Sequence, residues 1–307
     1  MSAKSIRLGT RASPLARWQA DWVAAALRQL GHEVTLVPIT TSGDQQTGAP
    51  IHTLGGVGLF TKEIQKALLD HAIDLAVHSL KDLPTDPIPE LTLAAVPRRE
   101  SPADALVSRE GVSLPDLPPG SRVGTSSLRR RAQLLNVRPD LTLVDVRGNV
   151  DTRLRKLDSG EYDALVLAEA GLTRLGLQGR ITQVLPAETM LPAPGQGALA
   201  LETRTDDAAT RGAVAPLTDP PSLASVLAER ELLRALAAGC LAPLGAWGRG
   251  ALSGGLMLSA VVLSEDGRKR ISAGAQGAAA DPFALGQVVA RELLEQGAAA
   301  LISAARQ

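Results

Sequence analysis

Cysteine is nearly absent from this 307-residue chain: Cys240 is the only one. It cannot form an internal disulfide or build a thiolate zinc site. Aromatic residues make up 2% of the chain, too few for the stacking platforms of single-strand nucleic-acid binders. Leu, Val, Ile and Ala must therefore fill the core. Net charge is also missing. Lys plus Arg and Asp plus Glu are 32 each, so no global field steers the protein to polyanions or membranes. An anion site has to come from local clustering. No segment approaches the roughly 20 apolar residues of a membrane span. The opening MSAKSIRLGTRASPL has no continuous apolar stretch of the secretory type. These shortages point to a cytoplasmic enzyme or binding protein that uses no metal, nucleic acid or membrane.

What is present reads as two α/β blocks and a third unit of different texture. Ile6–Gly9 is a strand. The next helix has Ser13 as N-cap and Pro14 at its first position. Leu15, Trp18, Trp22, Ala26 and Leu30 recur at helical spacing and predict its apolar face. Strands are expected at 34–39 and 74–78, with a helix at 61–69 between them. PRRESPA (97–103) looks like a crossing between domains. A second block follows, with strands near 122–124, 141–146 and 164–167 and helices from Ser127, Val150 and Glu169. A second crossing at 192–197 leads to an apolar run, 198–201, that reads as a strand returning to the first block. Beyond Pro220 come a helix, a hairpin around Asp266-Gly267 and an Ala-rich helix. The fold class is α/β with three domains: two open-sheet units and a smaller α+β unit. The domains are placed at 1–97 plus 198–216, 103–191 and 220–307.

Three strand-to-helix junctions carry similar chemistry: LGTRASPLARWQA (8–20), VGTSSLRRR (123–131) and RGNVDTRL (147–154). Each sets hydroxyl residues, Gly or Asn at a helix start, with arginine close by. Helix N-termini attract anions, and arginine grips carboxylates in bidentate fashion. Such junctions lie at the carboxyl ends of strands, where open α/β sheets bind ligands. Taken singly, Ser13, Ser126 and Asn149 are equally well ordinary caps, and Arg129–Arg131 a solvated helix face. Together the junctions describe a cleft for a polycarboxylate.

VHSLKDLP (77–84) ends a strand with His78, Ser79, Lys81 and Asp82. Asp82 suits acid–base work or the support of a cationic intermediate; the plain alternative is a surface turn. Cys240, in AAGCLAPLG, is an attachment nucleophile or a small buried hydrophobe. LGGVGLFTKE (54–63) is a glycine-rich loop without the Gly-Lys-Ser/Thr ending of a phosphate loop.

In order, TRASPLA, GLFTKE, AVHSLKDLP, VGTSSLRR, RGNVDTRL, EYDALVLAEAGLTRLGL, PGQGAL, AER and the Gly239-Cys240 pair resemble the porphobilinogen deaminase (hydroxymethylbilane synthase) family over nearly the whole chain. The resemblance implies two domains like those of periplasmic solute-binding proteins, with the active site between them. It implies a transferase of tetrapyrrole (haem) biosynthesis. Four porphobilinogen molecules are deaminated and joined head to tail on a covalent dipyrromethane cofactor, giving hydroxymethylbilane and ammonia. It implies a cytoplasmic monomer whose partner is the substrate porphobilinogen.

The residue roles it implies follow the same motifs. Cys240 carries the cofactor through a thioether. Asp82 is catalytic and supports the positive charge that develops on pyrrole nitrogen. Arg11, Arg147 and Arg153 assist the chemistry and bind substrate, together with Ser13, Phe60 and Gln196. Lys81, Ser79, Thr125, Ser126, Ser127, Arg129, Arg130, Gly148 and Asn149 contact the cofactor. Val57 stands where the family has lysine, which removes one cation. Ala238 and Leu241 replace a common glycine and a polar residue beside the cysteine. A carboxylate-binding protein of the solute-binder type is the chief alternative, and it would need neither Asp82 nor Cys240. A homologue of low turnover, given Val57, is the other.

Overall fold

The computed structural model describes residues 4–41, 61–239, 242–252 and 254–305. Val57, Phe60, Cys240 and Leu241 lie outside the described residues, so the expectations attached to them rest on sequence.

The chain opens with β1 (Ser5–Thr10), α1 (Pro14–Gln29), β2 (Glu33–Pro38), α2 (Lys62–Leu69), β3 (Leu75–Ser79) and β4 (Leu91–Ala95). The second unit holds β5 (Asp104–Ser108), β6 (Arg122–Gly124), α3 (Leu128–Val137), β7 (Thr142–Val144), α4 (Val150–Asp158), β8 (Ala164–Ala168), α5 (Glu169–Arg174) and β9 (Gln183–Val184). Then come β10 (Leu199–Arg204), α6 (Ala208–Val214), α7 (Pro220–Ala235), β11 (Leu244–Gly250), β12 (Leu256–Leu263), β13 (Arg270–Gly277), α8 (Pro282–Glu295) and α9 (Ala298–Ala304).

Two five-stranded sheets share one pattern, β2-β1-β3-β10-β4 and β7-β6-β8-β5-β9. Three strands of each are parallel, and the fourth runs antiparallel beside them. That fourth strand is the first one after a crossing. β5 starts the second sheet after the outward crossing, and β10 rejoins the first sheet after the return. Leu199 pairs with Ser79 and Leu201 with Val77, as the apolar run 198–201 predicts. β3 and β8 are buried on both faces because helices cover both. In the first sheet, Leu75 and Val77 pack with α1, while Ile73 and Ala76 pack with Ile64 and Leu68 of α2. The third unit is an antiparallel sheet, β11-β12-β13, with α7 and α8 on one face. Its other face meets the second unit, where Val261 and Leu263 pack with Ala132 and Leu191. Among the described residues no helix is long and apolar enough to cross a membrane.

The helix starts follow the sequence signals. Ser13 accepts from the Ala16 amide, Ser127 from Arg130, Asp219 from Ser222 and Asp281 from Ala284, and Pro begins three of these four helices. The expected apolar face of α1 is a correction. The buried stripe is Ala20, Val23, Ala24 and Leu27, whereas Trp18, Trp22 and Leu30 are exposed. The helix is apolar on more than one side, and its small residues let it sit close on the sheet. Trp18 instead lies under the guanidinium of Arg174, 5.7 Å from its ring centroid. The strands β4, β5, β9 and β11 carry weak sequence patterns. β11, LGAWGRG, holds three glycines, and one of them shows why.

A Cβ at Gly248 would lie 2.7 Å from the Ser225 carbonyl oxygen, because β11 presses directly on α7. Gly248→Ala should therefore destabilise the protein by about 1–3 kcal/mol through overpacking. Gly250→Ala, with nothing within 4 Å of its Cβ, should leave the denaturation midpoint nearly unchanged. Paired urea titrations check the contrast; equal midpoints would mean that the sheet and helix can part without cost.

Candidate functional site

The first and third motifs of the first unit meet at the carboxyl ends of β1 and β3. Arg11, Ser13, Gln19, Thr61, His78, Ser79 and Asp82 line a cavity of about 80 Å³ there. Thr10 and Ser13 shape the turn: the Thr10 hydroxyl donates to the Ala16 carbonyl (3.1 Å), and Ser13 caps α1. Gln19 donates to the Ser79 hydroxyl at 2.9 Å. Asp82 closes a short 3₁₀ turn after β3. It is half-buried. A larger cavity, about 370 Å³, lies on the third unit beside Trp247, Arg249 and Arg270. None of the motif residues reaches it, so size alone does not mark the site.

The second unit supplies the cations. Arg129 and Arg130 are not a solvated face; both are buried. Each grips Asp104, a fully buried carboxylate that the sequence reading missed. Arg129 Nη1 stands 2.6 Å from Asp104 Oδ2, and Arg130 Nη2 2.7 Å from Oδ1. Arg129 also donates to the Leu191 carbonyl and Arg130 to the Val166 carbonyl. Burial alone would raise the Asp104 carboxyl. Arg129, Arg130 and Lys81 outweigh it and hold the group far below the usual carboxylate range. A signal for Asp104 existed: a lone charge heading the apolar run Ala105–Val107 must find a partner once buried.

Gln196 joins the two units. Its amide nitrogen donates to Asp104 (3.0 Å) and to the Pro102 carbonyl (2.7 Å), and its oxygen accepts from Lys81 (3.2 Å). The first unit's Lys81 therefore stands next to the second unit's arginines. Burial, and then the charge of Arg130, push its ammonium down to about 8, against the pull of Asp82 and Asp104.

The hydroxyls of the second junction are engaged locally. Thr125 accepts from the Ser127 amide, Ser127 caps α3, and Ser126 both donates to and accepts from the Val146 backbone. The third junction is more open. Asn149 precedes α4 without making a side-chain cap bond. Arg153 donates to the Gly148 carbonyl (2.8 Å). Its guanidinium is lowered to about 10 by burial and by the like charges of Arg130 and Arg147. One terminal nitrogen of Arg147 is buried with no hydrogen-bond partner among the described residues.

Five cations thus crowd one cleft around a single fully buried carboxylate. The depressed Lys81 and Arg153 and the orphaned Arg147 nitrogen are signs of missing negative charge. A dipyrromethane bearing several carboxylates fits that deficit. Lys81, Arg147, Arg153 and Asn149 are among the residues that could hold it.

Replacing Asp104 leaves two buried guanidiniums without compensation. Asp104→Asn is expected to lose about 3–5 kcal/mol of stability. A denaturation midpoint close to that of the parent would show that the pairing is dispensable.

The chain matches the family model "Porphobilinogen deaminase, dipyromethane cofactor binding domain" over residues 6–212 and "Porphobilinogen deaminase, C-terminal domain" over 223–295. It is 49% identical over 304 residues to the porphobilinogen deaminase of Acidithiobacillus ferrooxidans, covering 98% of each chain. It is 50% identical over 301 residues to that of Xanthomonas euvesicatoria, covering 97% of this chain and 99% of the relative. Among solved structures it is similar to lipoprotein Tp32 from Treponema pallidum, at 16% identity and a TM-score of 0.45, covering 69% of this chain and 90% of that one. By the family models and by the extent of identity to these relatives, the chain belongs to the porphobilinogen deaminase family.

Proposed function

We propose that the cleft between the two open-sheet units, taken as 1–97 plus 198–216 and 103–191, is where porphobilinogen is deaminated and joined, with residues 220–307 carrying the cofactor cysteine. The family's activity is that of a transferase making hydroxymethylbilane, and its larger domain is the dipyrromethane-binding one. The observation that carries the placement is the excess of cations at the half-buried Lys81, Arg147 and Arg153, beside the buried Arg129 and Arg130.

When bound, the dipyrromethane supplies the free pyrrole carbon on which the product grows. Cys240 holds it by a thioether. Asp82, half-buried at the cavity with Arg11 and Ser13, supports positive charge developing on the pyrrole nitrogen of the substrate. Arg11, Arg147 and Arg153 bind acetate and propionate groups, with Ser13, Phe60 and Gln196 beside them. Lys81 and the junction residues Ser79, Thr125–Ser127, Gly148 and Asn149 face the cofactor. Arg129 and Arg130 act mostly through position: Asp104 takes one N–H of Arg129 and two of Arg130, and the Leu191 and Val166 carbonyls take one more from each. Val57 stands where the family has lysine, so this chain has one cation fewer to offer. Cytoplasmic location and a monomeric state complete the reading; the lone thiol suits a reducing compartment, and the balanced charge favours no membrane surface.

Intact mass tests the arrangement directly. The protein should be heavier than its sequence by one dipyrromethane, and Cys240→Ser should lose that increment. Asp82→Asn should keep both the increment and the fold while turnover falls about 100-fold or more. Near-normal ammonia release by that variant would remove Asp82 from the chemistry.

Lys81 gives a pH test with a definite sign. Its folded-state pKa, about 8, lies below the ordinary lysine value. The unfolded chain therefore takes up this proton first as pH falls, and the charge costs stability at neutral pH. In the Cys240→Ser background, Lys81→Met should melt higher at pH 7, and the gain should fade as pH rises towards about 10. In the parent background the same substitution should lower the fraction of chains carrying the cofactor mass. Full loading with no gain in melting temperature would mean that Lys81 is an ordinary surface amine.

A further inference from the structure

Glu229 lies on α7 and is fully buried. One carboxylate oxygen accepts from Arg99 Nη1 (2.7 Å) and from the Gly248 amide (2.7 Å). The other accepts from Arg99 Nη2 (3.1 Å) and from the Gly195 amide (2.6 Å). These donors come from three places. Arg99 is in the outward crossing between the open-sheet units, Gly195 is in the return crossing, and Gly248 is in β11 of the third unit. The Arg99 Nε donates in turn to the Gln196 carbonyl (2.8 Å), and its amide to the Ser222 hydroxyl at the start of α7 (2.9 Å).

The two crossings also touch each other. Gly197 has φ +85°, and a Cβ there would stand 2.5 Å from the Glu100 carbonyl oxygen and 2.7 Å from that of Ser101. The Glu100 amide donates to the Gly197 carbonyl. Both linkers are therefore pinned together and then pinned to α7. The same linker residue, Gln196, bonds Lys81 on one side and Asp104 on the other. α7 ends at Ala235, five residues before Cys240 in sequence.

We infer that Glu229 is a positioning residue: by clamping both crossings to the cysteine-bearing unit, it sets Gln196 and, through it, the register of Lys81 against the Asp104–arginine cluster. Neither Glu229 nor Arg99 is placed at the substrate. The clamp ties both crossings to the third unit at one point. This deepens the reading of the cleft and rests on Lys81 and Asp82 being its reactive face. Desolvation makes such a pair a poor source of net stability, and its geometry fixes segments in place.

The test uses the cofactor-loaded protein. In Glu229→Gln an amide NH₂ must face donors, so the clamp opens. Amide exchange at Gly195 and Gly248 should quicken at least about tenfold, while Val34–Leu36 in the far strand keeps its rate. In the folded fraction kcat should fall about tenfold with KM within about twofold, because the substrate's own contacts remain. Arg99→Lys keeps the charge but loses the fork and the Nε bond to Gln196. It is the variant that decides if Glu229→Gln does not fold, and it should show the same pattern at about threefold. A lower melting temperature with unchanged kcat and unchanged exchange at Gly195 would reduce Glu229 to a packing residue and overturn the inference. Because the exchange measurement does not involve Asp82, an Asp82→Asn protein with full turnover would end the cleft reading and leave the clamp standing.

Discussion

The pairing of Asp104 with Arg129 and Arg130 is the constraint on which the cleft depends. It sits at the first residue of β5, immediately after the outward crossing, and has no exposure to solvent. A buried ion cluster repays its desolvation only with complete geometry. Here the geometry is supplied by α3, by the Leu191 and Val166 carbonyls and by Gln196 from the return crossing. The start of α3, the start of β5 and the hinge cannot shift independently without leaving a charge unpaired. The cluster is also unbalanced, with two guanidiniums on one carboxylate. The excess falls on Lys81 and Arg153, whose charged forms are already disfavoured by burial.

Two aspartates near the cleft end up with opposite duties because their surroundings differ. Asp104 is enclosed by cations and bound on both oxygens, so its charge is fixed and it has little capacity left for a reacting group. Asp82 stands on a turn at the end of β3, half-buried at a small cavity. Its carboxylate is available to whatever enters. Lys81, one residue away from Asp82, is tied instead to Gln196. Adjacent residues on one turn thus address different partners, one the hinge and cluster, the other the cavity.

Much of this was legible in the sequence. Caps and prolines located α1, α3 and α7, and the run 198–201 announced the strand that returns to the first sheet. The arginines of the second and third junctions stand close enough to act on one another, while the first junction lines a separate small cavity with Asp82. The features that escaped notice are those in which one residue's meaning lies with a distant partner. Asp104 reads as a loop charge until Arg129 and Arg130 are placed beside it, 25 and 26 positions on. Glu229 shows in sequence only as part of the AER motif; its partners Arg99, Gly195 and Gly248 lie far from it in the chain. The α1 stripe was misjudged for a related reason: size and apolarity favour Trp18 and Trp22, but close packing on a sheet favours Ala20, Val23 and Ala24. Periodicity shows that a helix has an apolar side; when two sides qualify, the neighbour chooses.

The two junctions of the second unit, alike as sequences, differ in what they leave available. At 125–127 the hydroxyls close the turn on itself through Thr125, the Ser127 cap and the Ser126–Val146 pair. This makes the junction rigid, and its contribution to an anion is position and partial charge at a fixed helix end. At 147–149 the opposite holds. Asn149 makes no cap bond, and Arg147 keeps a buried nitrogen without a partner among the described residues. A buried donor left unmade costs free energy that a carboxylate can recover. The third junction is therefore the one left with an unmade hydrogen bond, whereas the second is fixed, and Asp104 is what fixes it.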